Sequence, residues 1–212
     1  MSYKSPIEDF KYNLAMLNYD EIIAGIDKFK DYDSDTLMSV VSEIGRLNEL
    51  EVVDSNKIGD REGLKYLPDG PEGPEVHTPE AFKKIYEVVK ESGYVGATMP
   101  TQYGGGGAPF TTAILAGEVG IASNMAFYMG PGLSHGAMKT ILKKATEELK
   151  DKYLPNMTSG EWMGTMCLTE PQCGTDLGLI KSTAKPVDDH YELNGQKIWI
   201  SFGEHDLTEN II

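Results

Sequence analysis

Cysteine is almost missing from this 212-residue chain. Its two thiols, Cys167 and Cys173, are too few for a disulfide framework and stand at no zinc-site spacing. Both are expected to be reduced, and with no histidine near either in sequence a thiolate nucleophile is not expected. Basic charge is also scarce: 19 Lys and Arg face 33 Asp and Glu, a net charge of −14. The acids are spread over helical stretches rather than gathered in one tail. A surface of that sign repels phosphate backbones, which argues against nucleic-acid binding and reads simply as solubility. The third absence is a long apolar run. None approaches the roughly 18 residues of a membrane span, and charged residues stand where a secretory leader would be apolar. The expectation is a cytoplasmic chain without a membrane span.

What is present is enough hydrophobic residue, 40%, for one large or two small packed domains. Phe10, Leu14 and Leu17 recur at a spacing that suits one short helix in an appended arm, residues 1–33. Ser34 or Asp35 can cap a longer helix running into the fifties, with Leu37, Val40, Val41, Ile44 and Leu47 on its buried face. The Gly and Pro cluster from Leu67 to Pro74 reads as an exposed connection outside any ladder. Thr78 and Pro79 read as cap and first residue of the next helix, whose face is Phe82, Ile85, Tyr86 and Val89 and whose stop is Gly93. The glycine run Gly104 to Gly107 has neither the dinucleotide nor the Walker spacing and follows no strand, so a phosphate loop is not expected. Further helices are predicted over 109–123, 131–144 and 146–153, with a Met-rich segment, Met125 to Gly130, between the first two. Met125 and Met129, close to aromatics, read as flexible core filler.

After Pro155 the period turns from helical to alternating. Strands are predicted over 162–169, 181–187 and 191–201, with Leu193-Asn-Gly-Gln196 as a hairpin turn, since Asn-Gly tolerates the positive φ a tight turn demands. Pro171 ends the first strand, and Gly174, Thr175 and Asp176 follow as a polar loop able to meet an anion or a ring edge. Asp176 reads as a turn-stabilising side chain. The fold class is thus α+β, an all-helical N-terminal domain (34–160) followed by the start of an antiparallel β-domain (161–212). His135 and His205 are isolated, with no second imidazole at ligand spacing, so no metal site is assigned.

Two spaced motifs carry a resemblance. Leu168-Thr-Glu-Pro171 with Gly174-Thr-Asp176, and then Asn194-Gly-Gln-Lys-Ile-Trp-Ile-Ser201, resemble the flavin-binding middle region of the acyl-CoA dehydrogenase family. The likeness takes in Lys152-Tyr-Leu-Pro155, Ser159-Gly-Glu-Trp162 and Gly203 to Ile211, and so covers nearly everything from about residue 80 onward. The opening Tyr3 to Phe10 and the phrase Gly164 to Pro171 are most similar to the long bacterial branch that includes 3-methylmercaptopropionyl-CoA dehydrogenases.

The resemblance implies an FAD cofactor, an acyl-CoA substrate, an electron-transferring flavoprotein as partner, and a homo-oligomer when full length. It implies that Leu168 and Thr169 offer main-chain and hydroxyl contacts to the flavin's pyrimidine edge, with Met166 and Gly174 also cofactor-binding. Thr175 would stand at the pyrophosphate, Trp199 would pack on the ring, and Ser201, in place of the more usual Thr, would bond near N5. Met125 and Met129 then have a second reading as acyl-pocket lining. Because that branch is far longer than 212 residues, a fragment is expected, and the family's catalytic glutamate falls in a C-terminal helical domain not included here. No catalytic residue is therefore assigned, and Glu170 is read as supporting its loop. Two alternatives stay open: a related flavoprotein oxidase or oxygenase, and a non-catalytic binding remnant of the same scaffold.

Overall fold

The computed structural model describes residues 3–71 and 73–212. The chain opens with α1 (Ile7–Met16) and α2 (Tyr19–Ala24), which bury Phe10, Leu14, Tyr19 and Ile23, while Leu17 faces solvent. Helix α3 (Ser34–Leu47) is capped one residue earlier than the sequence suggests: Asp33 accepts the Thr36 N–H at 2.8 Å. Leu37, Val41 and Ile44 face inward as expected, but Val40 does not; Met38 and Gly45 complete the buried stripe. The helix continues through a π-helical turn, Asn48–Val52, into α4 (Val53–Glu62).

The proline-rich connection is in fact a hairpin. Strand β1 (Lys65–Gly70) pairs antiparallel with β2 (Gly73–His77). Both strands are edges, so Pro68 and Pro74 cost no interior ladder bond, and the register slips between Leu67 and Gly70. A pair of strands thus precedes the later helices. Helix α5 (Glu80–Glu91) has the apolar face its sequence dictates, with Phe82, Ile85, Tyr86 and Val89 buried. Its cap differs: Pro79 is the N-cap, and Thr78 gives its N–H and hydroxyl to Asp206, at 2.9 and 2.7 Å.

Helix α6 spans Phe110–Lys144, including the Met-rich segment, and it bends at Asn124, whose φ/ψ of −157°/89° is not helical. Among the described residues it is the one helix long and apolar enough to cross a membrane, but it is also the central core helix. It packs on α3, α4 and α7 (Glu147–Ser159) and buries Ala116, Val119, Phe127, Tyr128 and Met138. Phe127 is fully enclosed, edge-on to Phe82, Tyr86 and Tyr128 with centroids 5.7, 6.4 and 5.3 Å away. Met125 and Met129 are exposed rather than core filler, because the bend rotates them away from the packed face.

The bend in α6 lies against the π turn between α3 and α4. Ser123 Oγ donates to Asn48 Oδ1 at 2.7 Å, and Asn124 Nδ2 donates to Ser55 Oγ at 2.8 Å. Asn124 Oδ1 also accepts the Phe127 N–H, and all four polar residues are buried. These bonds supply partners to backbone and side-chain groups that two interrupted helices would otherwise leave unpaired.

The glycine run does structural work. After the 3₁₀ turn Thr101–Tyr103, the N–H groups of Gly105, Gly106 and Gly107 donate to the carbonyls of Pro100, Gly96 and Met99. A Cβ on Gly105 would lie 2.1 Å from the Met99 oxygen, so the close backbone approach requires glycine there. With its donors turned inward the loop offers no anion cradle.

The β part starts with β3 (Trp162–Met163), which pairs in parallel with β6 (Asn210–Ile211). The predicted strand 162–169 is therefore much shorter, because beyond Thr165 no neighbouring strand among the described residues supplies a ladder. Strands β4 (Thr183–Val187) and β5 (His190–Asn194) form an antiparallel hairpin. Its turn is Asp188-Asp189 rather than Asn194-Gly195: Asn194 pairs with Thr183, and Asp188 adopts φ 48°. The stretch 195–201, expected to continue the strand, leaves the ladder at Gly195.

Candidate functional site

The segment after β3 is organised from beneath by Glu170. Its side chain is 2% exposed and accepts Lys197 Nζ at 2.8 Å, the N–H groups of Lys181 at 2.8 Å and Ser182 at 3.1 Å, and Gln172 Nε2 at 2.6 Å. Lys197 foremost, then Ser182 and the Lys181 N–H, hold its carboxyl far below the usual carboxylate range. Glu170 and Cys173 exchange both main-chain bonds across the Pro171-Gln172 turn. A carboxylate so fully engaged is a fixed anchor, not a free base, in keeping with the supporting role read from the sequence. Asp176 does cap its turn, accepting the Gly178 N–H at 3.2 Å.

The second motif is clipped onto the first. The Ile198 N–H donates to the Thr169 carbonyl at 2.9 Å, Lys197 Nζ to the Leu168 carbonyl at 3.0 Å, and Thr165 Oγ1 to the Ser201 carbonyl at 2.6 Å. Residues about 30 apart in sequence thus lie side by side, and Trp199 falls between two of these clips. Its indole is 83% exposed, and its backbone sits at φ 59° rather than on the alternating strand predicted. Phe202 is likewise at φ 53°. Left-handed φ at a large aromatic costs on the order of 1–3 kcal/mol, and such strain concentrates at ligand sites.

Around this platform Met166 and Ser201 are exposed, and Leu168 and Thr169 are half-buried. The N–H groups of Met166, Leu168 and Thr169 meet no acceptor among the described residues. Gly174 touches Thr169: a Cβ there would press its Cγ2 at 3.3 Å. Thr175 is exposed and makes no bond to 197–201 among the described residues. Free main-chain donors, the Thr169 hydroxyl and an uncovered indole on adjoining segments suit a planar ring system with an acceptor-rich edge, and FAD fits that donor set. Met125 and Met129 lie on exposed faces of α6.

Three contributors were not singled out from sequence. Lys197, Gln172 and Thr165 are ordinary polar residues whose bonding depends on how the loops cross. Asp206 is a fourth. It accepts Thr78 twice, binds Lys83 Nζ at 2.7 Å and His77 Nδ1 at 3.1 Å, and so ties the loop after Ser201 to the start of α5. Burial pushes its carboxyl up, but Lys83 and Thr78 outweigh that and bring it down to about 2. His135 is spent on the Val95 carbonyl at 2.7 Å, inside α6 rather than at a helix start. Cys167 is exposed and Cys173 buried, both as free thiols.

This architecture and these motifs place the chain in the acyl-CoA dehydrogenase family, whose cofactor is FAD: the family profile described as "Acyl-CoA dehydrogenase, N-terminal domain" matches residues 71–161. Over its whole length the chain is 33% identical to the 3-methylmercaptopropionyl-CoA dehydrogenase of Ruegeria pomeroyi and spans 35% of that relative. Among solved structures it resembles an acyl-CoA dehydrogenase complexed with FAD from Bacillus anthracis at 25% identity and TM-score 0.62. That match covers 81% of this chain and 27% of the other. A structure described as an electron transferring flavoprotein of Acidaminococcus fermentans matches at 26% identity and TM-score 0.64, over 79% of this chain and 40% of that one. The chain spans about a third of the length of the curated relatives it matches first.

Proposed function

We propose that this chain forms the helical domain (34–160), with its arm (1–33), and the first part of the β-domain (161–212) of an FAD-dependent dehydrogenase that oxidises an acyl-CoA thioester to the α,β-enoyl-CoA. The observation that carries the reading is the clipping of 197–201 onto 165–170, which brings the exposed Trp199 and Ser201 beside the segment of Met166, Leu168 and Thr169. When bound there, FAD supplies the hydride acceptor. The N–H groups of Met166, Leu168 and Thr169 would hold its pyrimidine edge, where preorganised donors would stabilise developing negative charge. The Ser201 hydroxyl would donate to the ring, Trp199 would pack on it, and Gly174 and Thr175 would hold the pyrophosphate.

Glu170 and Lys197 keep these donors in register and touch no substrate. Proton abstraction from the α-carbon is assigned to a carboxylate in the part of the family's length beyond the third represented here, so these residues bind and orient but do not turn over substrate. Electrons are proposed to leave to an electron-transferring flavoprotein, in a cytoplasmic homo-oligomer of fatty-acid metabolism.

The test uses Trp162→Phe, which leaves Trp199 as the only tryptophan. Added FAD should quench its emission saturably, and Ser201→Ala and Thr169→Val should weaken that quenching. Emission indifferent to FAD would refute the cofactor site, and bleaching of bound flavin by butyryl-CoA with this chain alone would refute the placement of the base.

A further inference from the structure

Phe202 stands where a turn ordinarily places glycine. The Gly203 N–H closes on the Ile200 carbonyl at 3.2 Å, and Phe202, the third residue of that turn, has φ 53°. Positive φ at this position favours glycine or asparagine, and a large aromatic persists there only where its surroundings compensate the strain. The compensation lies in α6. Gly130 is buried in that helix, and a Cβ there would lie 2.7 Å from both Cδ1 and Cε1 of Phe202. Glycine inside a helix is unfavourable relative to alanine, so a helical glycine with an aromatic edge in the place of its side chain has a packing reason to be there. His205, itself buried, stands edge-on to the same ring with centroids 5.6 Å apart.

This part of α6 also receives the first motif. Ser134, fully buried one turn on, donates its hydroxyl to the Gly130 carbonyl at 3.0 Å and accepts the Gly164 N–H at 3.0 Å. Thr165, the next residue, donates to the Ser201 carbonyl at 2.6 Å, and Ser201 leads directly into Phe202. The contacts thus close a circuit that runs from Gly130 through Ser134, Gly164, Thr165, Ser201 and Phe202 back to Gly130. Displacing the Phe202 ring from Gly130 shifts Ser201 or breaks its bond to Thr165. We infer that Gly130 and Phe202 are positioning residues: the ring, seated against bare helix backbone, sets where the Ser201 hydroxyl and the Trp199 indole stand. Their bearing on FAD rests on the proposed cofactor site; the seating of the loop does not.

Gly130→Ala separates this role from a purely helical one by sign. Alanine is the better helix former, so a residue that served α6 alone would gain stability from the change. Pressed onto Phe202, the added methyl should instead quicken exchange of the Ile198 N–H by about tenfold, within the range of core overpacking, while the Val119 amide of α6 keeps its rate. Adding Phe202→Leu should restore most of the protection, so that the two changes together cost less than their sum. In the Trp162→Phe background, the FAD concentration that half-quenches Trp199 should rise about tenfold with Gly130→Ala and fall back in the double variant. Exchange at Ile198 that is unchanged or slower, no recovery on adding Phe202→Leu, or a quenching midpoint that stays put while exchange quickens would each overturn the inference. If FAD does not quench Trp199 in the chain carrying Trp162→Phe alone, the cofactor reading fails, and exchange at Ile198 still decides the seat. Should Gly130→Ala not fold, Phe202→Ala empties the seat from the other side and has to quicken the same exchange; protection that survives it sinks the inference.

Discussion

Replacing Asp206 by Asn should release the loop that carries Trp199 and Ser201 from the helices beneath it. The carboxylate ties Thr78 and Lys83, at the start of α5, to residues 202–207, and its pKa falls from 3.8 to about 2 in the fold. By linkage that shift corresponds to roughly 2.5 kcal/mol at neutral pH. The side chain is 22% exposed, and solvent screening trims the expected loss to about 1–2 kcal/mol, since Asn keeps one acceptor for Thr78. The sign is that of a depressed carboxyl: the contribution is whole above the unfolded pKa near 4 and disappears as pH falls through about 2, with about half gone at pH 3. Urea unfolding of the parent and Asp206→Asn at pH 7, 4 and 3 measures the gap directly. It should narrow on acidification, and Lys83→Met should show a smaller gap that is not additive with the first. A gap under about 0.5 kcal/mol at pH 7, or one unchanged at pH 3, would refute the reasoning.

Glu170→Gln should loosen the platform without unfolding the helices: amide exchange at Ile198 quickens, and the parent's own protection there weakens as pH falls below the ordinary carboxylate range, because its folded pKa lies beneath that of the unfolded chain. Phe127→Ala, at the fully enclosed ring between Phe82, Tyr86 and Tyr128, should cost about 3–5 kcal/mol in urea unfolding. Gly105→Ala drives a methyl onto the Met99 carbonyl and should lower stability by about 1–3 kcal/mol, measured by thermal unfolding; an unchanged Tm would contradict the close approach.

Helices were legible where burial follows a single period. The face of α5 appears in the sequence as Phe82, Ile85, Tyr86 and Val89 because nothing interrupts its 3.6-residue repeat. Met125 and Met129 were misread because the bend at Asn124 resets the phase of α6, and that bend depends on partners in α3 and α4 that no local window contains. Asn194-Gly195 has the strongest local turn chemistry in the β part, yet pairing with β4 places the turn at Asp188-Asp189, so ladder register outweighed local preference. Proline marked the β1–β2 segment as a connection, whereas an isolated two-stranded hairpin consists only of edges, where proline is tolerated. The candidate site was legible as two motifs. The bonds that join them, from Lys197, Ile198 and Thr165, are tertiary and carry no sequence signature of their own.

The bend of α6 and the π turn of α3–α4 have a consequence for how such chains vary. Asn48 and Ser55 on one helix satisfy Ser123 and Asn124 on the other, so each irregularity is tolerable only while its counterpart persists. Straightening either helix alone would strand buried amides and hydroxyls on the opposite one. The four positions should therefore drift as one inherited unit: relatives that exchange Asn124 for an apolar residue should also have lost the polar pair at 48 and 55, and chimaeras that splice one helix from such a relative onto the other from this chain should fold poorly although each parent folds well.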